Sequence, residues 1–355
     1  GMELSKPVFD RRGNMIMPAN IELEEKHLAF LKQKGAAEIM ISDNRVGDIT
    51  IKPLVNHDMQ RDATEALRSL LSLNRKGKGP EAVNDSEVFA ARLGVEQMSH
   101  SMVKSIIALN MGEPDIAGTV LVEDFHFVQP VQSACLTVLL AKEYGFEDKD
   151  LLTVGRAAML QNLGYVWLPS KLWHKDQISE GKDRKEFEKH PTYGAEALMQ
   201  CNRMPPEVIE AVQQHHERWD GSGYPNGLRG WDISPFAQLI AIAESYYELV
   251  SARPDRGPYK PADAFEYIMA FSGELFDPEL VQIFSRRVPM YPSGIMVQLN
   301  TGEQGIIVNV NLGHVGRPTV RICYDLKGNE VYPPFDTNLT KSEHQHKLIS
   351  QMLDI

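Results

Sequence analysis

The sequence is poor in the features that would give an easy answer. It has three cysteines in 355 residues, Cys135, Cys201 and Cys323, with no C-x-x-C pair and no even count for a disulfide framework. A reducing cytoplasm is therefore expected. No run approaches the roughly 20 apolar residues of a membrane span, and the N-terminus lacks the basic-then-apolar order of a signal peptide. Positive charge is also short: 37 Lys and Arg stand against 48 Asp and Glu, a formal net charge of -11. That balance argues against a grip on a nucleic-acid polymer, so any nucleotide partner should be small. There is no internal repeat. What remains is ordinary for globular protein, 43% hydrophobic and 24% charged residues, long enough for two or three compact domains.

The pattern along the chain predicts a mainly α protein with a small unit at each end. Residues 1–55 read as an α/β unit: Lys6 to Phe9 and Met15 to Met17 flank a hairpin turn, a helix carries Leu28 and Leu31 and stops at Gly35, and Glu38 to Ile41 returns as a strand. Residues 56–115 read as a helical connector with a mobile loop at Asn74 to Asn84, the expected first site of proteolysis. Residues 116–289 are almost wholly helical, with breaks at Gly145, Gly164, Pro191 and Asp220 to Gly230. After Pro289 the period changes to alternation at Ile295 to Leu299, Ile306 to Val310 and Val320 to Tyr324, a small antiparallel β module. Residues 290–355 are completed by a short tail helix, Glu343 to Leu353.

The chemistry concentrates in His215-His216-Glu217-Arg-Trp-Asp220-Gly221-Ser-Gly223-Tyr224-Pro225. Val208, Val212 and His215 fall at i, i+4 and i+7, and Ile209, Val212 and His216 at i, i+3 and i+7, so both imidazoles extend the buried face of a helix begun at Pro205-Pro206. Two histidines that end an apolar stripe just before a Gly-rich turn suit metal ligands in a cleft floor. A lone pair of histidines would more often be satisfied or surface groups.

The whole string closely resembles the H-H-E-x-x-D-G-x-G-Y-P signature of HD-GYP domains, members of the HD phosphohydrolase superfamily. In bacteria these hydrolyse cyclic di-GMP with two or three metal ions. The resemblance runs from about Asp124 to Phe284: Glu188-Lys-His190-Pro191-x-x-Gly194 is similar to the H-P-x-x-G element, and Ile240-Ala-Ile-Ala-Glu244 to the helix with the last acidic ligand. The flanks resemble modules that often accompany such domains.

The departures from the family carry as much weight. The histidine that opens one helix in the family aligns with Gln129, and the H-D-x-G-K element appears as Gln161-Asn162-Leu163-Gly164-Tyr165. In the family one metal uses the first histidine, the H-D pair and the last acidic residue. The other uses the bridging aspartate and the histidines that match His190, His215 and His216. The resemblance therefore implies a dismantled first site, with Glu244 its one survivor, and a second site that keeps three imidazoles. Asn162 has the size of an aspartate without the charge that bridges two cations, and Tyr165 lacks the ammonium that steadies a phosphate.

Glu244 is read either as a metal ligand or as a carboxylate hydrogen-bonded to Tyr246, Tyr247 or a neighbouring helix; on the ligand count, Glu244→Gln is expected to change metal uptake little. Arg253 and Arg256 resemble basic residues that contact the dinucleotide phosphates, with surface ion pairing the alternative. Tyr224 and Trp219 fit a structural role in the loop better than stacking on guanine. The expectation is a degenerate, non-catalytic binding or regulatory module of cyclic di-GMP signalling, holding at most one divalent ion (Fe, Mn, Zn or Ni). The loop of Asp220, Gly221, Gly223, Tyr224 and Pro225 would then serve the dinucleotide or a diguanylate cyclase (GGDEF) partner. The alternative is a phosphodiesterase using the residual single-metal site, and a purely structural role is a third reading.

Overall fold

The computed structural model describes residues 2–4, 8–9, 15–33, 39, 41–42, 45, 54–73, 80, 86–108, 125–172, 181–251 and 257–353. The expected loop at Asn74 to Asn84 lies outside the described residues except for Pro80.

Strands β1 (Met2–Leu4), β2 (Val8–Phe9), β3 (Met15–Met17) and β4 (Glu22–Leu23), helix α1 (Glu25–Gln33) and strand β5 (Ile41–Ser42) form the N-terminal unit. The β2–β3 pair forms as the hairpin reading requires. The sequence reading missed β1, which lies between β4 and β5 as the centre of a second small sheet. Of the two leucines placed on the helix, only Leu31 is buried, with Leu4 and Met17; Leu28 is 49% exposed. A unit this small has room for one inward turn of helix.

The helical body consists of α2 (His57–Leu71), α3 (Ser86–Ala108), α4 (Phe125–Tyr144), α5 (Asp148–Leu160), a 3-10 turn at Leu163–Trp167, α6 (Lys182–Phe187), α7 (His190–Met199), α8 (Pro206–Gln214), α9 (Pro235–Val250), α10 (Pro261–Ala270) and α11 (Pro278–Arg287). Helices α7 to α11 each begin with proline at the first or second position, where its missing N–H costs nothing. Asp277 caps α11 by accepting from the N–H groups of Glu279 and Leu280. Helix α9 is buried on nearly every side, from Phe236 to Ala243, and packs along α4. Leu67 of α2 and Met102 of α3 share one continuous core with Leu136, Met159, Val212, Ile240 and Phe284. The helices read as a connector thus help to build the body. No described helix is long and apolar enough to cross a membrane.

The C-terminal module is a five-stranded antiparallel sheet of β6 (Met296–Leu299), β7 (Gln304–Asn309), β8 (Thr319–Tyr324), β9 (Glu330–Asn338) and β10 (Ile349–Met352), in the order β10-β6-β7-β8-β9. Its own core holds Val297, Leu299, Ile307, Val320, Ile322 and Leu339. The expected tail helix does not form: Ser342–His344 is a single 3-10 turn, and the chain then pairs with β6 at Ile349↔Leu299 and Met352↔Val297. The tail satisfies an edge that would otherwise stand open, with Asn300 N–H donating to the Leu348 carbonyl and Leu353 N–H to that of Met296.

Candidate metal centre and its loop

His190 opens α7, while His215 and His216 form the turn directly after α8, where the chain leaves the helix but keeps its inward side. All three are at most 2% exposed. Val208 and Val212, on the same face, are fully buried, as the spacing predicts. The imidazole nitrogens converge: one ligand atom from each residue lies within 4.8 Å of the others. His190 Nδ1 is 2.9 Å from the Phe187 carbonyl oxygen and His215 Nδ1 is 2.7 Å from that of Val212. A carbonyl oxygen only accepts, so both Nδ1 atoms carry a proton, and in the neutral rings both Nε2 atoms present lone pairs. Those two Nε2 atoms are 3.3 Å apart. Two nitrogens bound to one tetrahedral ion at roughly 2.0 to 2.1 Å would be separated by roughly 3.3 Å. The donor set therefore fits a divalent ion, with ring orientation set by backbone carbonyls.

Gly164 explains how His190 is placed. A Cβ there would overlap the His190 carbonyl, and one at Gly194 would press on Val212, so the 3-10 turn, α7 and α8 close on one another. Gln161 and Asn162 precede that turn. Gln161 is wholly buried and Asn162 is 6% exposed; neither amide atom of Gln161, nor Asn162 Oδ1, has a hydrogen-bond partner among the described residues. Tyr165 packs edge-on against His190, with ring centres 4.7 Å apart, and also against Phe187. Where the resembled family has a lysine, this chain shields a histidine with an aromatic ring.

Glu244, on α9, is 4% exposed and places Oε2 3.7 Å from His216 Nδ1, beyond a hydrogen bond but within ion-pair range. It is not among the three residues whose ligand atoms converge. Gln129 Nε2 donates to the Glu244 backbone carbonyl at 3.3 Å, tying α4 to α9 at this level.

The loop after His216 is built around that histidine. Tyr224 N–H donates to the His216 carbonyl, and the Tyr224 ring stacks on the His216 imidazole at 4.7 Å and 26°. Burial, with Tyr165 and Glu244 nearby, pushes the Tyr224 phenol well above its ordinary pKa, so it stays a neutral donor. Gly223 has backbone where a Cβ would lie, and Gly221 has a φ of +81°, so both need glycine. Pro225 follows Tyr224 through a cis peptide bond. Asp220 is a loop former: hydrogen bonds from the Ser222 side chain and from the Ser222 N–H, the latter to Oδ1 at 2.8 Å, hold the carboxyl below its usual range. Trp219 meets Trp231 edge-on at 5.0 Å, and Trp231 is 76% exposed. Arg253 and Arg256 lie outside the described residues.

The sequence reading assigned no role to Glu217. It is 2% exposed, and its two carboxylate oxygens accept from Asn226 N–H at 2.7 Å and Leu228 N–H at 3.0 Å. Its partners nine and eleven residues downstream carry no periodic signal that would have revealed them.

A family model described as an HD domain matches residues 121–280, and one described as a KOW domain associated with HD domain matches residues 296–353. A cyclic di-GMP phosphodiesterase of Pseudomonas aeruginosa is 25% identical over 227 residues, 64% of this chain and 55% of that protein. One of Thermotoga maritima is 33% identical over 146 residues, 41% of this chain and 40% of that protein. A 3'3'-cGAMP-specific phosphodiesterase of Vibrio cholerae is 34% identical over 145 residues, 41% of this chain and 28% of that protein. The matches thus span 28 to 55% of these relatives' lengths. A solved HDG"Y"P protein of Bdellovibrio bacteriovorus aligns with a TM-score of 0.46 and 18% identity, covering 79% of this chain and 92% of that one.

Proposed function

Because the chain belongs to the HD-GYP branch of the HD domain family, we propose that it is a non-catalytic binding and regulatory module of bacterial cyclic di-GMP signalling, working in the cytoplasm and holding one divalent ion. The observation that carries this reading is the composition of the buried site: three convergent imidazoles, and neutral amides at Gln129, Gln161 and Asn162. Hydrolysis of a phosphodiester by two ions needs a bridging anion that offsets their repulsion and helps place the attacking water. Asn162 offers an uncharged oxygen in that position. His190, His215 and His216 would hold one iron, manganese, zinc or nickel ion, with Asn162 or water completing it. Such an ion supplies Lewis acidity when bound.

The ligand proposed for the module is cyclic di-GMP, with Arg253 and Arg256 as candidate phosphate contacts. The loop from Asp220 to Pro225 is the proposed docking element for a GGDEF partner. The three buried free cysteines support a reducing compartment. A second reading, residual phosphodiesterase activity from a single ion, is favoured by the intact histidine cluster and by the activities for which the relatives are named.

Three measurements on native-purified protein separate the readings: metal content per chain, a cyclic di-GMP binding titration, and hydrolysis with manganese and iron supplied and oxygen excluded. The non-catalytic reading expects at most one ion, with no turnover. Steady turnover on the order of 1 per second or more, as in ordinary enzymes, would replace it with the phosphodiesterase reading.

A further inference from the structure

Between His216 and Ser234 the chain makes one regular turn, the 3-10 segment Gly230–Asp232, so its backbone donors depend on groups outside any helix or sheet. Two of them, at Asn226 and Leu228, are satisfied by the carboxylate of Glu217. That carboxylate is 2% exposed and belongs to the residue joined directly to His216. We propose that Glu217 is a positioning residue that transmits metal occupancy at the histidine cluster to the shape of the loop 219–231, so that the state of a buried site is displayed at the surface on Trp231. The proposal rests on the single-ion reading above.

Three features couple the loop mechanically to His216. First, the loop is seated on a proposed ligand twice over, by the Tyr224 N–H bond to the His216 carbonyl at 3.2 Å and by the Tyr224 ring on the His216 imidazole. Second, there is no slack between them. A Cβ at Gly223 would overlap the backbone of His216, Glu217 and Arg218, so the two chain segments are already in backbone contact. In a close-packed interior such a contact passes on a displacement of a few tenths of an ångström instead of absorbing it. Third, the outer end is held to the rest of the body. Gly230 N–H donates to the Trp219 carbonyl, Gln238 Nε2 donates to the carbonyls of Gly230 and Ile233, and Trp219 and Asp220 N–H groups donate to Leu275 and Glu274. The segment between these anchors has Glu217 as its inner clamp. Drawing His216 toward an ion, or releasing it, moves that clamp and with it the amides of Asn226 and Leu228. Trp231, 76% exposed and in edge contact with Trp219, reports the movement outside.

The test uses the full chain, stripped with a chelator and reloaded with zinc or manganese. Metal per chain is measured alongside hydrogen exchange over 219–231 and tryptophan emission. In the wild type, one bound ion is expected to slow exchange at Asn226 and Leu228 about 10-fold, the scale set by one charge-assisted hydrogen bond, and to change the emission. Glu217→Gln keeps the size of the side chain but turns an N–H donor toward a backbone N–H. It is expected to take up one ion as before, with loop exchange fast whether or not metal is present. Unchanged loop exchange on loading one ion into the wild type overturns the coupling and leaves the single-ion reading standing. Failure of the wild type to take up any ion overturns both. Loss of metal uptake in Glu217→Gln, with the wild type loading normally, also overturns the coupling, because Glu217 would then be a support of the ligands themselves. The wild-type arm decides the matter even where the variant fails to fold.

Discussion

His190 and His215 face one another through their Nε2 atoms at 3.3 Å, while each ring's other nitrogen donates to the carbonyl three residues before it. Two lone pairs held at this distance repel, and a cation between them removes the conflict. The first prediction follows: native protein carries one divalent ion per chain, and replacing His215 and His216 together by alanine abolishes uptake. Ligand counting alone made Glu244→Gln nearly silent, but the carboxylate lies 3.7 Å from His216 Nδ1. That place is suited to supporting a metal-bound imidazole, so the variant should keep one ion per chain while affinity falls roughly 10-fold. Elemental analysis with a competition titration measures both; two fully occupied ions would refute the assignment.

Asn162 allows a sharper test of what its uncharged amide does in the site. Asn162→Asp preserves shape but puts a charge in a position 6% exposed, beside unsatisfied amide atoms. Without metal the variant should lose about 3 kcal/mol of stability, the cost of an uncompensated buried charge. Metal should restore much of it. Thermal unfolding with and without manganese measures the difference, and an apo variant as stable as the wild type would show that the pocket tolerates a free carboxylate.

Gly164 faces the backbone of His190 with no room for a side chain. Gly164→Ala should therefore cost about 1 to 3 kcal/mol by overpacking, and it should weaken metal binding because the strain falls on the residue that carries a ligand. Urea unfolding and metal titration on the same preparation should move together. Lost stability with unaltered affinity would show that α7 shifts as a rigid piece.

Much of this site was legible because its information is local. The apolar stripe that ends in His215 and His216 and the glycines of the following turn report their conformations through neighbours a few residues away. The HD-GYP resemblance rested on those same residues. Strand β10 was not legible, since four residues pair with a strand some fifty positions earlier and register with β6 leaves no mark on local periodicity. Strand β9 was missed for a related reason: Pro333 and Pro334 cannot donate to a ladder, which argues against a strand unless it lies at a sheet edge, and β9 does. Tyr165 was readable as a lost lysine, but not as a ring laid against His190.

The last prediction concerns the β module. Lys347, in the tail, donates to Glu303 Oε1 at 2.7 Å, with both side chains 15% exposed, fastening the turn between β6 and β7 to the segment that leads into β10. Burial by itself raises the Glu303 pKa, but hydrogen bonds from Lys347 and Thr301 outweigh it and hold the carboxyl below its ordinary value. A carboxyl lowered on folding stabilises the folded state fully above its unfolded pKa of about 4.3. That contribution is lost as pH falls through the lower folded value. The wild type should therefore exceed Lys347→Met in stability by about 0.5 to 1 kcal/mol at pH 7, with the gap closing in the acid range. Urea unfolding of both proteins from pH 7 down to pH 3 measures it. A gap that stays constant with pH would mean that Lys347 stabilises the fold by something other than its ion pair with Glu303.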